Sequence, residues 1–444
     1  MKIDEYLDIV SQQIRYARIR PSVTEELKNH ILDQAEAYEA LGSSPKEALE
    51  RAVLEMGDPV ETGVSLDRIH RPQMNWGIVL LMGIISLFSI GVFYAANIKG
   101  ADMYPWQRQA AFIAAGFLLM LLVYRLDYSI LGKFGWKPAV LFLGTMILGL
   151  SFFRVSIHGA ARWISLGNLQ FSVPETMLLY IPLFGAALYA FRGNGYEIFL
   201  KIIPLILIPT ILVLRTPSIS NAGILFVCLV CLFLFAVWKD WFRISKKLIL
   251  GAIISGLVLM PFALFGYFFL FGEDYQRARL LAFFHPTELG DYIVNLAQTI
   301  RVSSSMIGSS EQSVSCLLNG PTSNFLTDYV LVTMCSIYGT LLTVCMVAGL
   351  LFLTIKIFKI SIAQKNQLGM MIGIGCGLAF FMKIFASTLI NLQILPYFSI
   401  SMPFLSYGGS STIVSYILLG LVLSVYRYKN ISVIHKGISS PIVL

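Results

Sequence analysis

The sequence predicts an all-α polytopic membrane protein, with about ten transmembrane helices behind a small cytoplasmic helical domain. Three observations carry this prediction. Of 444 residues, 57% are hydrophobic and only 13% charged, with a mean hydropathy of +0.74, a composition of membrane rather than soluble chains. Apolar stretches long enough to cross ~30 Å of hydrocarbon recur from residue 76 onward. Charge is unevenly split: residues 1–70 hold 14 Asp/Glu against 8 Lys/Arg, a net of −6, whereas the remainder holds 11 against 25, a net of +14.

The acidic prefix, residues 1–72, reads as three short helices. Ser22-Val23-Thr24-Glu25 has the form of a capping box, followed by Leu27, Ile31, Leu32 and Ala35 at helical spacing. Gly42 closes that helix. Ser44-Pro45-Lys46-Glu47 opens the next with an N-cap, Pro at the first helical position and a second capping box, and Gly57-Asp58-Pro59 ends it. The first residues are charged and amphipathic rather than a signal peptide, which places the prefix in the cytoplasm. It is similar to the helical prefix domains found ahead of some bacterial permease-like proteins. Regulation, partner docking and a topology-setting stub all remain open roles.

The membrane domain, residues 73–430, contains ten apolar stretches near 76–96, 107–124, 137–154, 176–191, 198–214, 222–238, 248–271, 326–355, 368–392 and 409–426, and residues 431–444 form a tail. With the N-terminus inside, the inner connections carry Arg125, Lys133, Arg192, Lys239, Arg243, Lys246, Lys247, Lys356, Lys359 and Lys365. That basic bias sets the orientation and, with ten spans, returns the tail to the cytoplasm. No nucleic-acid partner is expected. One outer connection, residues 272–325, exceeds fifty residues; its mixture of Pro, aromatic and charged residues favours function over disorder. Five of the six cysteines lie in apolar runs, Cys228 and Cys231 among them, and read as core packing rather than a metal or redox pair.

Candidate chemistry follows from what is scarce. The membrane domain has eleven carboxylates, of which Glu175 and Asp328 stand at the ends of apolar spans, and Lys383 lies deep in the ninth with no partner in its own helix. Ionisable groups there are functional candidates, with interfacial snorkelling as the rival for the two acids. Ser401 to Ser411 is a run of small and polar residues feeding the last span. Irregular backbone at that depth must be buried in protein or line a cavity. Gly408 and Gly409 would let a head group approach the main chain, and Ser410 and Ser411 would cap the following helix.

These residues fall into ordered motifs. Gly159-Ala160-Ala161-Arg162-Trp163-Ile164-Ser165-Leu166-Gly167, then Phe171 to Glu175, then Thr327-Asp328-Tyr329, then Asn391, Leu395, Pro396 and Met402 to Ser411 occur in sequence across the spans, and Asp127-Tyr128 follows the second. In this pattern, over roughly residues 76–430, the chain resembles the SEDS proteins (shape, elongation, division and sporulation; the FtsW/RodA/SpoVE group). The departures are specific. Leu178 replaces a customary Lys, Ser218 a customary acid, and Lys383 a common Gln.

The resemblance implies a bacterial cytoplasmic-membrane enzyme that polymerises lipid II at the outer face, usually with a class B penicillin-binding transpeptidase. The family's catalytic acid lies in the long outer loop. Counting back from Gln298 assigns its place to Glu288, with Asp291 as the alternative. Arg162, Trp163, Glu175, Arg277, Arg279, Asp328, Lys383, Ser406, Tyr407, Gly408, Gly409, Ser410 and Ser411 are the expected substrate-binding set, with Arg301 a further cation at the same face. A divalent cation would suit pyrophosphate chemistry, although no cluster of metal ligands marks one. Two alternatives stand: the missing Lys and the rearranged loop motivate a fold-sharing scaffold that binds the precursor without polymerising it, and the intramembrane Lys383 with the polar re-entrant segments would suit a flippase or transporter.

Overall fold

The computed structural model describes residues 1–17, 19–98, 106–157, 160–167, 169–216, 218–247, 292–320 and 322–429, with single positions at 251, 256 and 266. Glu288, Asp291, Arg277 and Arg279, the stretch 248–271 as a span and the tail 431–444 therefore lie outside the described residues. The chain divides into two compact units, Met1–Met74 together with the residues from Arg427 on, and Asn75–Tyr426.

The first unit has four helices where the sequence suggested three: α1 (Ile3–Gln13), α2 (Arg20–Ala40), α3 (Pro45–Glu55) and α4 (Pro59–His70). Ser22 does not cap α2. Pro21 starts that helix earlier, and Thr24 Oγ1 donates back to the Arg20 carbonyl instead. Ser44 does cap α3, accepting from the Glu47 N–H while donating to its carboxylate at 2.8 Å. Asp58 both follows α3 and opens α4, its Oδ1 accepting from Val60 and Glu61 N–H at 2.8 and 2.9 Å. Tyr6, Val10, Ile31, Ala48 and Ala52 form the core, and the Tyr6 hydroxyl donates to Met56 O, tying α1 to the turn before α4.

The second unit is a multi-pass helical membrane domain. Among the described residues seven helices are long and apolar enough to cross a bilayer: α5 (Trp76–Ile98), α6 (Trp106–Arg125), α9 (Val173–Ala190), α11 (Ile219–Trp238), α16 (Thr340–Ile362), α17 (Gln367–Asn391) and α18 (Gly409–Arg427). Two shorter apolar helices, α8 (Lys137–Phe152) and α10 (Ile198–Leu214), follow the short α7 (Ser129–Phe134) and α9 respectively. Pro209 interrupts α10 and leaves the Leu205 carbonyl without its helical donor. The Tyr180 hydroxyl of α9 supplies one at 2.8 Å, as burial in lipid requires. Helix α17 is the central post, buried along most of its length. It runs so close to α16 that a Cβ on Gly373 would sit 2.3 Å from Ser361 Oγ.

The predicted span at 326–355 is not one helix. It is broken into α14 (Thr322–Thr327), α15 (Val330–Tyr338) and α16, with Gly339 at φ +93° between the last two. The break is bridged by residues 305–308: Gly308 N donates to Tyr338 O at 3.0 Å, Thr340 N to Ser305 O at 3.1 Å and Leu341 N to Met306 O at 3.1 Å. Hydropathy cannot register this, because the backbone donors and acceptors released by the break are satisfied by a distant segment. That segment belongs to the long connection, whose described part folds into α12 (Tyr292–Ser303) and α13 (Glu311–Leu318).

One small sheet joins the helices, an antiparallel meander of β1 (Arg154–Ile157), β2 (Ala160–Leu166) and β3 (Leu169–Ser172). Trp163 pairs with Ser172 and Ile164 with Phe171. Alternation buries Ile164 against Gly149 of α8, where any side chain would collide with it. Strand β3 runs without a gap into α9, and that continuity delivers Glu175 to the site.

Candidate functional site

Ser172-Val173-Pro174-Glu175 sets the entry to α9. Pro174 lies in the first helical turn and Glu175 follows it, where a carboxylate favours the positive end of the helix dipole. From there Glu175 reaches Lys383 of α17, 208 positions away. The Lys383 Nζ lies 2.6 Å from Glu175 Oε2, with side chains 3% and 12% exposed. Ser401 joins the pair: its hydroxyl accepts from Lys383 Nζ at 2.8 Å, donates to Glu175 Oε1 at 3.0 Å and meets Ser411 Oγ at 2.7 Å. Ser410 Oγ accepts from the Ser172 N–H at 2.9 Å. Ser410 and Ser411 therefore do not cap their own helix. They fasten its start to the strand-to-helix junction and to the ion pair.

Asp328, buried between α14 and α15, is held next to this. The Tyr397 hydroxyl donates to its Oδ2 at 2.9 Å and Ser399 to Oδ1 at 3.2 Å, while Tyr397 stacks on Tyr329 with ring centroids 5.5 Å apart. Arg162 and Glu175 both act on the Asp328 carboxyl electrostatically, the arginine favouring its charge and the glutamate opposing it. Asn391, near the end of α17, donates to Asp328 O at 2.9 Å, and its Oδ1 accepts from Leu331 and Val332 N–H at 3.2 and 3.3 Å. It thus satisfies donors at the start of α15, for which the helix itself has no acceptors.

The turn leading into α18 is packed rather than open. Ser406 Oγ donates to Thr327 O at 2.5 Å and accepts from Met402 N at 2.7 Å; Tyr407 N donates to Leu326 O at 3.0 Å. Gln109 of α6, fully buried, holds the turn from the other side. Its Oε1 accepts from Gly408 N at 3.3 Å and its Nε2 reaches Ser406 O and Thr412 Oγ1 at 3.4 Å. A Cβ at Gly409 would lie 2.9 Å from the Phe112 ring. Gly409 is thus needed for contact with α6, whereas the space beside Gly408 is open and its N–H is engaged by Gln109.

Glu175, Lys383, Asp328 and the Ser406–Ser411 turn are thus brought into one group, with Trp163 paired beside Ser172 at its edge and Arg162, its neighbour in β2, acting on Asp328 through its charge. Lys383, expected deep in its span without a partner in its own helix, belongs to it as a buried organiser, its ammonium engaged by Glu175 and Ser401. Gln109 escaped the sequence reading, which screened the spans for ionisable groups only; a lone amide in an apolar span was the available signal. Arg301 turns to Gln393, its Nη2 donating to Oε1 at 3.5 Å. Among the described residues no three His, Cys, Asp or Glu side chains gather to hold a metal ion.

Fold and site together define a multi-pass membrane protein with a buried polar cluster, built around one ion pair, where several helices begin and end. Family comparison is more specific. The chain belongs to the FtsW/RodA/SpoVE family of cell cycle proteins, whose model matches residues 72–431. Among relatives, it is 25% identical over 372 residues to the "Probable peptidoglycan glycosyltransferase FtsW" of Nitrosomonas europaea, covering 78% of this chain and 90% of that protein. It is 24% identical to the "Peptidoglycan glycosyltransferase MrdB" of Escherichia coli, covering 82% and 95%. Two solved structures share the fold. A peptidoglycan synthase complex, described as coordinating polymerization and crosslinking, contains a chain matching with TM-score 0.63 and 23% identity, over 80% of this chain and 98% of that one. The Rod shape determining protein RodA of Thermus thermophilus matches with TM-score 0.56 and 18% identity, over 80% and 97%.

Proposed function

We propose that this protein is a peptidoglycan glycosyltransferase that polymerises lipid II at the outer face of the bacterial cytoplasmic membrane, with a class B penicillin-binding transpeptidase as partner. The observation that carries the reading is the cluster of Arg162, Glu175, Lys383 and Asp328, assembled on the fold of a family whose relatives bear that activity in their names. In the reaction a sugar hydroxyl of one lipid-linked disaccharide attacks C1 of another and expels undecaprenyl pyrophosphate. A carboxylate beside the hydroxyl takes its proton, and cations offset the charge on the departing pyrophosphate.

Charge balance assigns the parts. Glu175 and Lys383 neutralise each other, and Asp328 is held by the Tyr397 and Ser399 hydroxyls, so these groups hold the helices in place. The cations facing pyrophosphate are then Arg277 and Arg279, and the base is Glu288 or Asp291, all carried by the loop that precedes α12. Both termini are read as cytoplasmic; Tyr16 and Tyr428 lie in ring contact at 6.4 Å, which favours an even number of spans.

The decisive experiment is polymerisation of fluorescent lipid II by wild type, Glu288→Gln and Asp291→Asn, with lipid II binding and leaflet exchange measured in parallel. Glycan chains from wild type and their loss in Glu288→Gln are expected. Loss in Asp291→Asn alone moves the base to Asp291. Binding without polymerisation, with or without the transpeptidase, refutes the enzyme in favour of a scaffold, and leaflet exchange refutes it in favour of a transporter.

A further inference from the structure

Gln393 stands just beyond the end of α17 in a left-handed backbone conformation, φ +61°, which a side chain other than glycine adopts only at a steric cost. What its side chain touches explains why a long amide is held there. Gln393 Nε2 donates to Val294 O at 2.6 Å, and Gln393 Oε1 accepts from Arg301 Nη2 at 3.5 Å. Val294 and Arg301 are seven residues apart and so share one face of α12. A single amide therefore joins the backbone near the start of that helix to a side chain from near its end. Val294 is also only three residues after Asp291 and six after Glu288. The same helix end carries Asn391, which holds the Asp328 segment, and eight residues earlier Lys383, which holds Glu175.

Resting on the proposed glycosyl transfer, we propose that Gln393 is a positioning residue for that reaction, holding α12, the helix that follows Glu288 and Asp291 in the chain, against the element that carries Lys383 and Asn391. It acts by clamping α12 to the end of α17. Asp291 is bonded directly to Tyr292, the first residue of α12, and Glu288 lies four residues before it, so covalent reach couples either carboxylate to the position of this helix. A displacement on the order of 1 Å costs about 10²-fold in rate, while the substrate contacts made elsewhere are left alone.

Gln393→Gly is the discriminating variant, because glycine takes this backbone conformation without strain while the clamp is removed. In full-length protein it is expected to lower kcat for lipid II polymerisation by about 10²-fold, leave lipid II binding within about twofold, and raise amide hydrogen exchange over residues 292–303 by about tenfold. Exchange over 367–391 should not change. Gln393→Glu keeps the acceptor for Arg301 but loses the donor to Val294, and should fall between wild type and Gln393→Gly in both readouts. Wild-type kcat in Gln393→Gly, or a loss confined to substrate binding, overturns the inference. Wild type that polymerises nothing refutes the proposed reaction instead; the exchange measurement then decides alone, unchanged protection of 292–303 overturning the clamp and raised exchange supporting it.

Discussion

Removing Lys383 tests the centre of the cluster. At 2.6 Å and an effective dielectric constant of about 20, the attraction within the Glu175–Lys383 pair is about 6 kcal/mol, much of it offset by the cost of taking two charges out of water. Deleting one partner is a different matter, because it leaves the other buried. Glu175 would retain the Ser401 hydroxyl, its donor at 3.0 Å, but would lose its only counter-ion among the salt bridges seen at the site. Buried pairs broken in this way cost about 3–5 kcal/mol, whereas replacing both partners by neutral groups is often harmless. Lys383→Met should therefore be strongly destabilised and the Lys383→Met/Glu175→Gln double variant close to wild type. The assay is a double-mutant cycle on unfolding in matched detergent micelles. A coupling energy above about 2 kcal/mol is expected; one below about 0.5 kcal/mol, with single and double variants equally stable, would refute the view that these charges are mutually dependent.

Three further outcomes follow from the same structure. Asn391→Ala strips acceptors from the buried N–H groups of Leu331 and Val332 and should cost about 1–3 kcal/mol, read as unfolding in detergent and as faster exchange at residues 330–334. Gly339→Ala places a Cβ 2.7 Å from Met306 O at a backbone φ of +93°; it should cut folded yield sharply, whereas Gly223→Ala, with open space around its Cβ, should not. Cysteine labelling in intact cells should find Cys316 accessible from outside, and labelling only from inside would invert the orientation of every connection.

The sequence made some features plain because they are periodic or locally capped. Spans recur at the length of a bilayer, Ser44-Pro45-Lys46-Glu47 caps the helix it was expected to cap, and Glu175 and Asp328 stood out as acids at the ends of apolar runs. Other features depend on partners far along the chain. Lys383 had no mate within its helix because its mate is on α9, and the apolar run at 326–355 breaks at Gly339 because residues 305–308 arrive to pair with it. A third group was legible but passed over. Asp58-Pro59 carries the same cap-then-proline signal as Ser44-Pro45 and opens a fourth helix, and the β-favouring Trp163-Ile164 closed by the turn residue Gly167 marks a strand end. Gln109 needed a search for neutral polar residues in apolar spans.

Three attachments hang from one stretch of α17: Lys383 to Glu175, Asn391 to the Asp328 segment and, just past the helix end, Gln393 to α12. Since each residue of a helix advances the next by about 100°, these three share a fixed angular phase. Inserting one residue between Lys383 and Asn391 would swing Asn391 and Gln393 to another side of the post while Lys383 kept its partner. Hydropathy, helix propensity and composition would scarcely change. The segment from 383 to 393 is therefore bound by its count of residues as well as by the three that make the attachments: the side chains between them can be exchanged one at a time, but no residue can be added or taken away without uncoupling α12 and the broken span from the charged pair.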